Sequence, residues 1–264
     1  MQGKAIVITS GKGGVGKTTT TANLGTALAM LDKKVCLIDA DIGLRNLDVV
    51  LGLENRIVYD LIDVVEGNCR LEQAMIKDKR NQNLFLLPAA QTRDKDAVSE
   101  EQMKSLINDL KEDMDYVLVD CPAGIEQGFR NAIAGADLGL IVATPEVSSV
   151  RDADRIIGLL EAEGLNDPQL LINRLRRDMV DRGDMMNIDD IVEILAVEIL
   201  GVIPEDENIV ISTNRGEPIV LKDKTYSGRA FNNIAKRIEG QDIPLMTIEK
   251  ETFFSKVKRI VGLS

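Results

Sequence analysis

The chain has 264 residues, of which 44% are apolar, and its formal net charge is −11. This length and apolar content fit one large α/β domain with a sizeable core. The acidic balance and the low aromatic content of 3%, with no Trp, argue against a broad nucleic-acid surface, and the absence of His excludes histidine catalysis and histidine metal sites.

The first predicted elements are a strand over residues 4–9, a glycine-rich loop and a helix over 17–31. The loop, residues 11–18, matches the phosphate-loop pattern G-x-x-x-x-G-K-[ST]. In this motif backbone N–H groups surround a polyphosphate, the lysine (Lys17) reaches the β- and γ-phosphates, and the hydroxyl (Thr18) binds Mg²⁺. A second lysine, Lys12, has no role in the motif, so it points to another polyphosphate or another subunit.

The same loop also satisfies the dinucleotide pattern G-x-G-x-x-G through Gly11, Gly13 and Gly16, with Asp39 at about the distance of a ribose carboxylate. A nicotinamide or flavin site has no use for a Lys-Thr pair after the last glycine, whereas a triphosphate with Mg²⁺ needs both. The phosphate-loop interpretation is therefore favoured, and dinucleotide binding is the alternative.

The next predicted strand, 34–39, runs into two acids, Asp39 and Asp41. Acids two residues apart on an extended segment point the same way, which is costly unless a cation lies nearby. Mg²⁺ on ATP would supply that cation, with Asp39 near the metal and Asp41 placed to orient or polarise the attacking water. A solvated acidic loop is the alternative.

Short apolar runs continue to alternate with helical patterns, which predicts an α/β fold with a mostly parallel twisted sheet and helices on both faces. Ser99 and Gln102 form a capping box at the start of one helix. The further strands are predicted over 84–87, 116–120, 138–143, 169–173 and 198–203, and the further helices over 57–66, 99–112, 148–163, 187–196 and 226–239.

Asp120 ends the predicted 116–120 strand in the Walker B position and precedes a Pro-Ala-Gly turn. Because the carboxyl ends of parallel strands meet at one edge, Asp39 and Asp120 are expected beside the phosphate loop. Asp120 would hold Mg²⁺, through water, and the turn would sense the γ-phosphate. A capping role for Asp120 is the alternative.

The three cysteines, Cys36, Cys69 and Cys121, form no CxxC pair and no zinc-like spacing. Cys36 lies in an apolar run and is expected in the core. The N-terminus begins with a polar tripeptide and a strand rather than a secretory pattern, and no run approaches the about 18 apolar residues of a membrane span. We therefore expect a cytoplasmic protein.

The end of the chain predicts a membrane-targeting helix. Residues 1–240 form the predicted domain, 241–251 a linker and 252–264 a short amphipathic helix. Its basic and apolar faces suit an anionic bilayer surface, and a helix docked on the protein's own core is the alternative. The residues expected at the membrane are Phe253, Phe254, Lys256, Val257, Lys258, Arg259, Ile260, Val261 and Leu263.

Three segments together resemble the deviant Walker A (MinD/ParA) family of ATPases. They are the phosphate loop with its extra lysine, the Asp-Ala-Asp-Ile-Gly-Leu-Arg-Asn-Leu-Asp segment after Ile38, and Asp-Cys-Pro-Ala-Gly-Ile-Glu from Asp120. The resemblance covers the whole chain. Gly-Leu-Arg-Asn-Leu-Asp and Pro-Ala-Gly-Ile-Glu are its more specific parts, and they are similar to the branch of the family that places the division septum.

The resemblance implies a Mg²⁺-dependent ATPase switch that forms a homodimer with ATP, binds the inner membrane surface and recruits the division inhibitor MinC. A topological regulator, MinE or a polar-scaffold equivalent, would control it, and no specific nucleic acid is expected. Lys12 would reach the nucleotide of the second subunit, with the predicted 148–163 helix at the dimer face. On that helix Arg151, Asp152 and Asp154 would contact partners or form a solvated face.

The resemblance also implies the residues of the site. The catalytic group comprises Lys12, Lys17 and Asp41, and the metal group Thr18, Asp39 and Asp120. Asn173 and the segment containing Pro204 would contact adenine, since Asn offers both a donor and an acceptor. The expected nucleotide-binding residues are Gly11, Gly13, Gly14, Val15, Gly16, Lys17, Thr18, Thr19, Asn173, Arg174, Pro204 and Asp206.

Other functions stay open at this point. A ParA-like ATPase that positions DNA or cargo would need a basic dimer surface, which this acidic chain does not predict. An electron-transfer protein that bridges an iron–sulfur cluster between subunits would need two suitably placed cysteines in each chain, and only Cys121 lies near the ligand edge. A flagellar-number regulator of the same family shares the motifs.

Overall fold

The computed structural model of the protein describes residues 2–93, 97–222 and 224–246. Within these ranges one sheet contains the strands β1 (Lys4–Thr9), β2 (Val35–Asp39), β3 (Ile76–Lys77), β4 (Leu84–Leu87), β5 (Tyr116–Asp120), β6 (Leu138–Ala143), β7 (Gln169–Leu175) and β8 (Ile199–Pro204). The helices are α1 (Lys17–Met30), α2 (Leu47–Leu51), α3 (Leu61–Val65), α4 (Leu71–Ala74), α5 (Glu100–Asp113), α6 (Gln127–Ile133), α7 (Val147–Ala162), α8 (Arg177–Arg182), α9 (Ile188–Leu195), α10 (Glu207–Asn214) and α11 (Tyr226–Ile238).

The strand order is β3-β4-β2-β5-β1-β6-β7-β8, and every neighbouring pair is parallel except β3 with β4. The chain first builds the side of the sheet from β2 to β5 and then crosses to β6, β7 and β8 on the other side of β1, so the winding reverses at β1. In open α/β sheets such a reversal leaves a crevice at the carboxyl ends of the strands. The phosphate loop leaves β1 at this crevice.

Both faces of the sheet are covered, which explains why the strands are continuous apolar runs rather than alternating ones. In β1, Ala5 and Val7 pack into the core on one face, while Ile6 and Ile8 pack into the core on the other. The first core includes residues of α5 and α7, and the second includes residues of α1 and α11. The strand ends at the crevice are therefore held rigidly from both sides.

The predicted fold class and all seven predicted strands are confirmed, as is the capping box at Ser99 and Gln102. Cys36 is buried in the core, as expected. One helix start is wrong: α3 begins at Leu61 rather than at 57. The Asp60 side chain accepts from the N–H groups of Ile62 and Asp63 and thereby fixes the helix start.

The sequence patterns missed the short elements β3, α2, α4, α6, α8 and α10, whose helices have between four and eight residues. A helix of that length has one or two turns, so its apolar periodicity is not visible in a window of about 11 residues or more. Such helices are also not stable alone, so their packing on the rest of the protein determines where they form.

The described chain ends at residue 246, within the predicted 241–251 linker. Residues 241–246 form no helix or strand, and the Arg237 guanidinium donates to the carbonyl oxygens of Ile243 at 2.7 Å and Pro244 at 2.6 Å. The predicted membrane helix over 252–264 lies outside the described residues. Among the helices that are described, none has the length and apolar character needed to cross a bilayer.

Candidate functional site

The phosphate loop turns from β1 into α1 through two glycines with positive φ. Gly14 has φ 76°, and Gly16, the N-cap of α1, has φ 104°. Side chains with a Cβ rarely adopt this region, so glycine is required at these positions. A Cβ on Gly16 would also lie 2.4 Å from Nδ2 of Asn173. The loop therefore presents backbone N–H groups at the start of α1, as an anion site needs.

Lys17 is buried at the centre of the loop. Its ammonium nitrogen donates to the Ser10 hydroxyl at 3.2 Å, and that hydroxyl donates to the carbonyl oxygen of Lys12 at 2.7 Å. Two consecutive hydrogen bonds thus hold the Lys17 side chain inside the loop. Among the described residues no carboxylate forms an ion pair with this buried ammonium, so it suits an incoming polyphosphate.

Asp39 and Asp120 lie at one edge of the sheet, as predicted, and the structure further shows them opposite each other on the neighbouring strands β2 and β5. Both are buried. Oδ1 of Asp39 accepts from the Asp41 N–H at 3.0 Å, and Oδ2 accepts from the N–H groups of Asn46 and Leu47 at 3.1 Å each. The strand register therefore places two carboxylates together beside the phosphate loop.

Asp120 is connected directly to the first turn of α1. The Thr21 hydroxyl lies 3.3 Å from Oδ1 of Asp120, and the Thr18 hydroxyl also hydrogen-bonds with the Asp120 side chain. These contacts join the end of β5 to the predicted metal ligand of the phosphate loop. The capping alternative for Asp120 has no support here, because its contacts are to α1 hydroxyls.

Burial raises the pKa of Asp39 above its ordinary value, and the backbone N–H groups lower it only in part. Burial also raises the pKa of Asp120, and the neighbouring charge of Asp39 raises it further, against the opposing effects of Thr18 and Lys17. A divalent cation would stabilise both charged forms. The pair, together with the Thr18 hydroxyl, supplies the hard oxygen donors that Mg²⁺ prefers, so the residues fit this ion.

These raised pKa values predict how the stability of the nucleotide-free protein depends on pH. The folded state binds more protons than the unfolded state above the ordinary carboxyl pKa of 3.8. The free energy of unfolding should therefore fall as pH rises from about 4 through the folded pKa values. Asp120→Asn should raise the thermal unfolding midpoint by a few degrees at about pH 8 and have little effect at about pH 4.5.

Thermal unfolding without nucleotide, across this pH range, checks the prediction. Asp109→Asn, at an exposed position on α5, is the matched control and should leave the pH dependence of the unfolding midpoint unchanged. A less stable Asp120→Asn protein at about pH 8 would contradict the repulsion between the two buried carboxylates.

Lys12 lies at the mouth of the loop, close to the start of α7. Its ammonium is 3.5 Å from Oε2 of Glu146, and the two side chains are 46% and 58% exposed. A Cβ on Gly11 would lie 2.6 Å from both Cβ and the carbonyl oxygen of Asp152, so α7 contacts the loop backbone directly. The structure thus brings Lys12 together with the helix that was predicted to share its surface.

The residues expected at adenine lie at the ends of β7 and β8. Asn173 and Arg174 belong to β7 itself, which extends to Leu175 rather than ending at 173. The Asn173 amide donates to the Val15 carbonyl oxygen at 2.7 Å, and its own oxygen accepts from the Arg174 N–H at 2.9 Å. Asn173 therefore connects this side of the crevice to the phosphate loop, a contact that the sequence did not reveal.

Pro204 is the last residue of β8, and Asp206 is the N-cap of α10. The Asp206 carboxylate accepts from the Asn208 N–H at 2.9 Å and the Ser227 hydroxyl at 2.6 Å. These bonds stabilise the charged form, and the pKa of Asp206 is lowered although burial opposes this. Asp206 thus has a capping role in the structure, and its contact with adenine stays a prediction.

Sequence reasoning also missed Ser10, Thr21 and Glu146 as neighbours of the site. Ser10 contacts Lys17, Thr21 contacts Asp120 and Glu146 contacts Lys12. Thr21 could have been found, because it follows Thr18 by three residues on the predicted helix and so shares its face. Glu146 could not, since its proximity depends on how β6 and α7 pack beside β1.

A phosphate loop between β1 and α1, with acids at the ends of β2 and β5 in a parallel sheet, defines the class of P-loop nucleotide-binding proteins. Residues 6–219 match the family model described as CobQ/CobB/MinD/ParA nucleotide binding domain. The chain belongs to this MinD/ParA family, within its MinD group of septum site-determining proteins.

The similarity to known proteins extends over nearly the whole chain. The septum site-determining protein MinD of Bacillus subtilis is 56% identical over 265 residues, which cover 99% of each chain. A MinC:MinD cell division protein complex of Aquifex aeolicus contains a chain with 54% identity and a TM-score of 0.87, covering 92% of this chain and 98% of that one. MinD of Pyrococcus horikoshii, complexed with Mg-ADP, has 32% identity and a TM-score of 0.82, covering 89% and 96%.

Proposed function

We propose that this protein is an ATP-hydrolysing switch that dimerises with ATP, binds the cytoplasmic face of the cell membrane and recruits a division inhibitor to control where the septum forms. The observation that carries the proposal is the pair of buried carboxylates, Asp39 and Asp120, beside Lys17 and Thr18 of the phosphate loop. A cation would stabilise the charged form of such a pair, and MgATP brings one together with the phosphates that the loop is shaped to bind.

When bound, Mg²⁺ would neutralise charge on the phosphate oxygens and polarise the transferred phosphoryl group. Thr18 would ligate the ion, and Asp39 and Asp120 would hold its water ligands. Lys17 would donate to the β- and γ-phosphates. Asp41, which follows Asp39 on the loop, would accept a hydrogen bond from the attacking water and orient it.

Lys12 supports the proposal that two subunits share the site. Exposed ion pairs contribute only about 0–1 kcal/mol, so its contact with Glu146 is easily exchanged for another partner. A second ammonium reaching the phosphates from the partner would stabilise charge in a site that dimerisation has closed to water. ATP would thereby join two chains, and hydrolysis would release them.

The inhibitor is proposed to be MinC, since a relative with 54% identity forms a MinC:MinD complex. Arg151 and Asp154 on α7 are exposed and Asp152 is half-buried, so these side chains are available for partner or dimer contacts. A topological regulator, MinE or a polar-scaffold equivalent, would stimulate or position the switch. This assignment of partners rests on the family.

The membrane contact is proposed to be the 252–264 helix, which lies outside the described residues. A large apolar side chain contributes at most ~1.5–3 kcal/mol when fully buried, and interfacial burial is partial. Ordering the segment costs ~1–2 kcal/mol per residue, so one tail would be a weak anchor. Two tails on one dimer would gain about 10²–10⁴ in avidity, which would make membrane binding depend on ATP.

Co-sedimentation with vesicles that contain anionic lipids tests the proposal. The full-length protein should bind with MgATP and dissociate with MgADP, and deletion of residues 253–264 should abolish binding without changing ATP affinity. Vesicles of neutral lipid are the control, since the basic face requires negative surface charge. Equal binding in ATP and ADP would exclude the switch, and unchanged binding after the deletion would exclude the tail.

A further inference from the structure

A largely buried ion pair, to which the proposed reaction assigns no role, joins the loop after β2 to the first turn of α2. Nε of Arg45 lies 2.9 Å from Oδ2 of Asp48, and the two side chains are only 14% and 2% exposed. Arg45 also has a positive φ of 32°, which is uncommon for a residue with a Cβ. A strained backbone beside a buried charge pair indicates that the surrounding structure constrains this loop strongly.

The two residues of this pair flank, in sequence, the backbone groups that hold Asp39. The N–H groups of Asn46 and Leu47 both donate to Oδ2 of Asp39, and Asp48 follows directly in the first turn of α2. At the other end of the loop the Arg45 N–H donates to the Asp41 carbonyl oxygen at 3.1 Å. Arg45 therefore connects the segment that contains Asp41 with the helical turn whose amides hold Asp39.

The far end of α2 is held independently. The Arg80 guanidinium donates to the Leu51 carbonyl oxygen at 2.6 Å and forms an ion pair with Asp78 at 2.7 Å. Leu47 and Leu51 are fully buried in the core. The helix thus has anchors that do not involve Arg45, so loss of Arg45 should release the loop without displacing the whole helix.

We propose that Arg45 and Asp48 are positioning residues, whose buried ion pair holds the first turn of α2 against Asp39 and fixes the loop that carries Asp41. The inference rests on the proposed ATPase function, in which Asp39 and Asp41 place the metal and the attacking water. Neither Arg45 nor Asp48 touches the nucleotide in this role. The pair would act by fixing the positions of Asp39 and Asp41. Small displacements of reacting groups lower the rate of hydrolysis more than they lower the affinity for nucleotide.

The test compares turnover, nucleotide affinity, stability and backbone exchange in Arg45→Ala. We expect kcat for ATP to fall at least about tenfold, with KM and the MgATP dissociation constant within about threefold of wild type. In the nucleotide-free protein, hydrogen–deuterium exchange should increase over residues 41–48 and stay unchanged in β2. Arg177→Ala, which removes an exposed pair with Asp181, is the matched control and should change none of these quantities.

A double variant separates positioning from stability. Arg45→Ala leaves the Asp48 carboxylate buried without its partner, so the single variant is also expected to lower the unfolding midpoint. In Arg45→Met/Asp48→Leu both charges are replaced by apolar side chains, which should restore much of the stability. Turnover should stay low in this variant, because the charge attraction that draws Arg45 to the first turn of α2 is still absent.

Two results would overturn the inference: unchanged exchange over residues 41–48 in Arg45→Ala, or recovery of both stability and kcat in the double variant. The second would mean that the pair serves folding alone. If the wild-type protein does not hydrolyse ATP, the proposed function fails. The exchange measurement on nucleotide-free protein then still decides whether Arg45 holds the loop, so the two failures can be distinguished.

Discussion

Lys12→Ala is expected to bind ATP nearly as tightly as wild type, within about threefold, yet to lose ATP-driven dimerisation and to hydrolyse ATP at least about 100-fold more slowly. Lys12 lies at the mouth of the loop with a long, exposed contact to Glu146, so removing it leaves the monomeric site almost intact. Lys17→Ala should behave differently. Its buried ammonium lies inside the loop, so ATP binding itself should weaken at least about tenfold.

Fluorescent-nucleotide titration, size-exclusion chromatography with light scattering, and phosphate release distinguish the two variants. Lys104→Ala, on the exposed face of α5, is the control for loss of a positive charge. Mixing Lys12→Ala with Asp41→Ala adds a direct test of sharing between subunits. If Lys12 acts on the partner's nucleotide, a mixed dimer contains one complete site and activity should partly return. A mixture as inactive as the separate variants would contradict action across the interface.

Gly16→Ala is expected to lose nucleotide binding at least about tenfold and to lower the unfolding midpoint by several degrees. The substitution imposes a Cβ on a backbone with φ 104° and places it 2.4 Å from Nδ2 of Asn173. The backbone strain alone costs roughly 1–2 kcal/mol. The collision displaces the amide that donates to Val15 within the loop.

Gly67→Ala is the control, because Gly67 also has a positive φ, 77°, and no atom of the other described residues, its two chain neighbours aside, lies within 4 Å of the added Cβ. This variant should lose only the stability that a Cβ at positive φ costs, and its affinity for nucleotide should be unchanged. Thermal unfolding and nucleotide titration measure both effects. If the two variants were equally stable and bound nucleotide equally, contact with Asn173 would have no importance for the loop.

The sequence predicted the parts of this protein that depend on local patterns. Buried strands appear as apolar runs, and the phosphate loop has fixed spacing, so β1, the loop and α1 were placed within a residue. The position of Asp39 and Asp120 at one edge also followed from the rule on the carboxyl ends of parallel strands, whereas their pairing on adjacent strands did not. These features needed no knowledge of tertiary packing.

The missed features depend on contacts between distant segments. The Asn173 amide meets Val15 across 158 residues of chain, and Lys12 meets Glu146 across 134. No local pattern encodes such pairs. The short helix α2 was missed for the same reason, since five residues have no stable helical structure without the core around Leu47 and Leu51.

The direct contact between Gly11 and Asp152 has a thermodynamic consequence. Gly11 has no side chain to separate the loop backbone from α7. If nucleotide binding shifts that backbone, α7 must move with it. A molecule that prefers one position of α7 would then change the affinity for nucleotide, and nucleotide would change the affinity for that molecule by the same factor. The coupling would be reciprocal, so a measured change in the affinity for one ligand would also give the change in the affinity for the other.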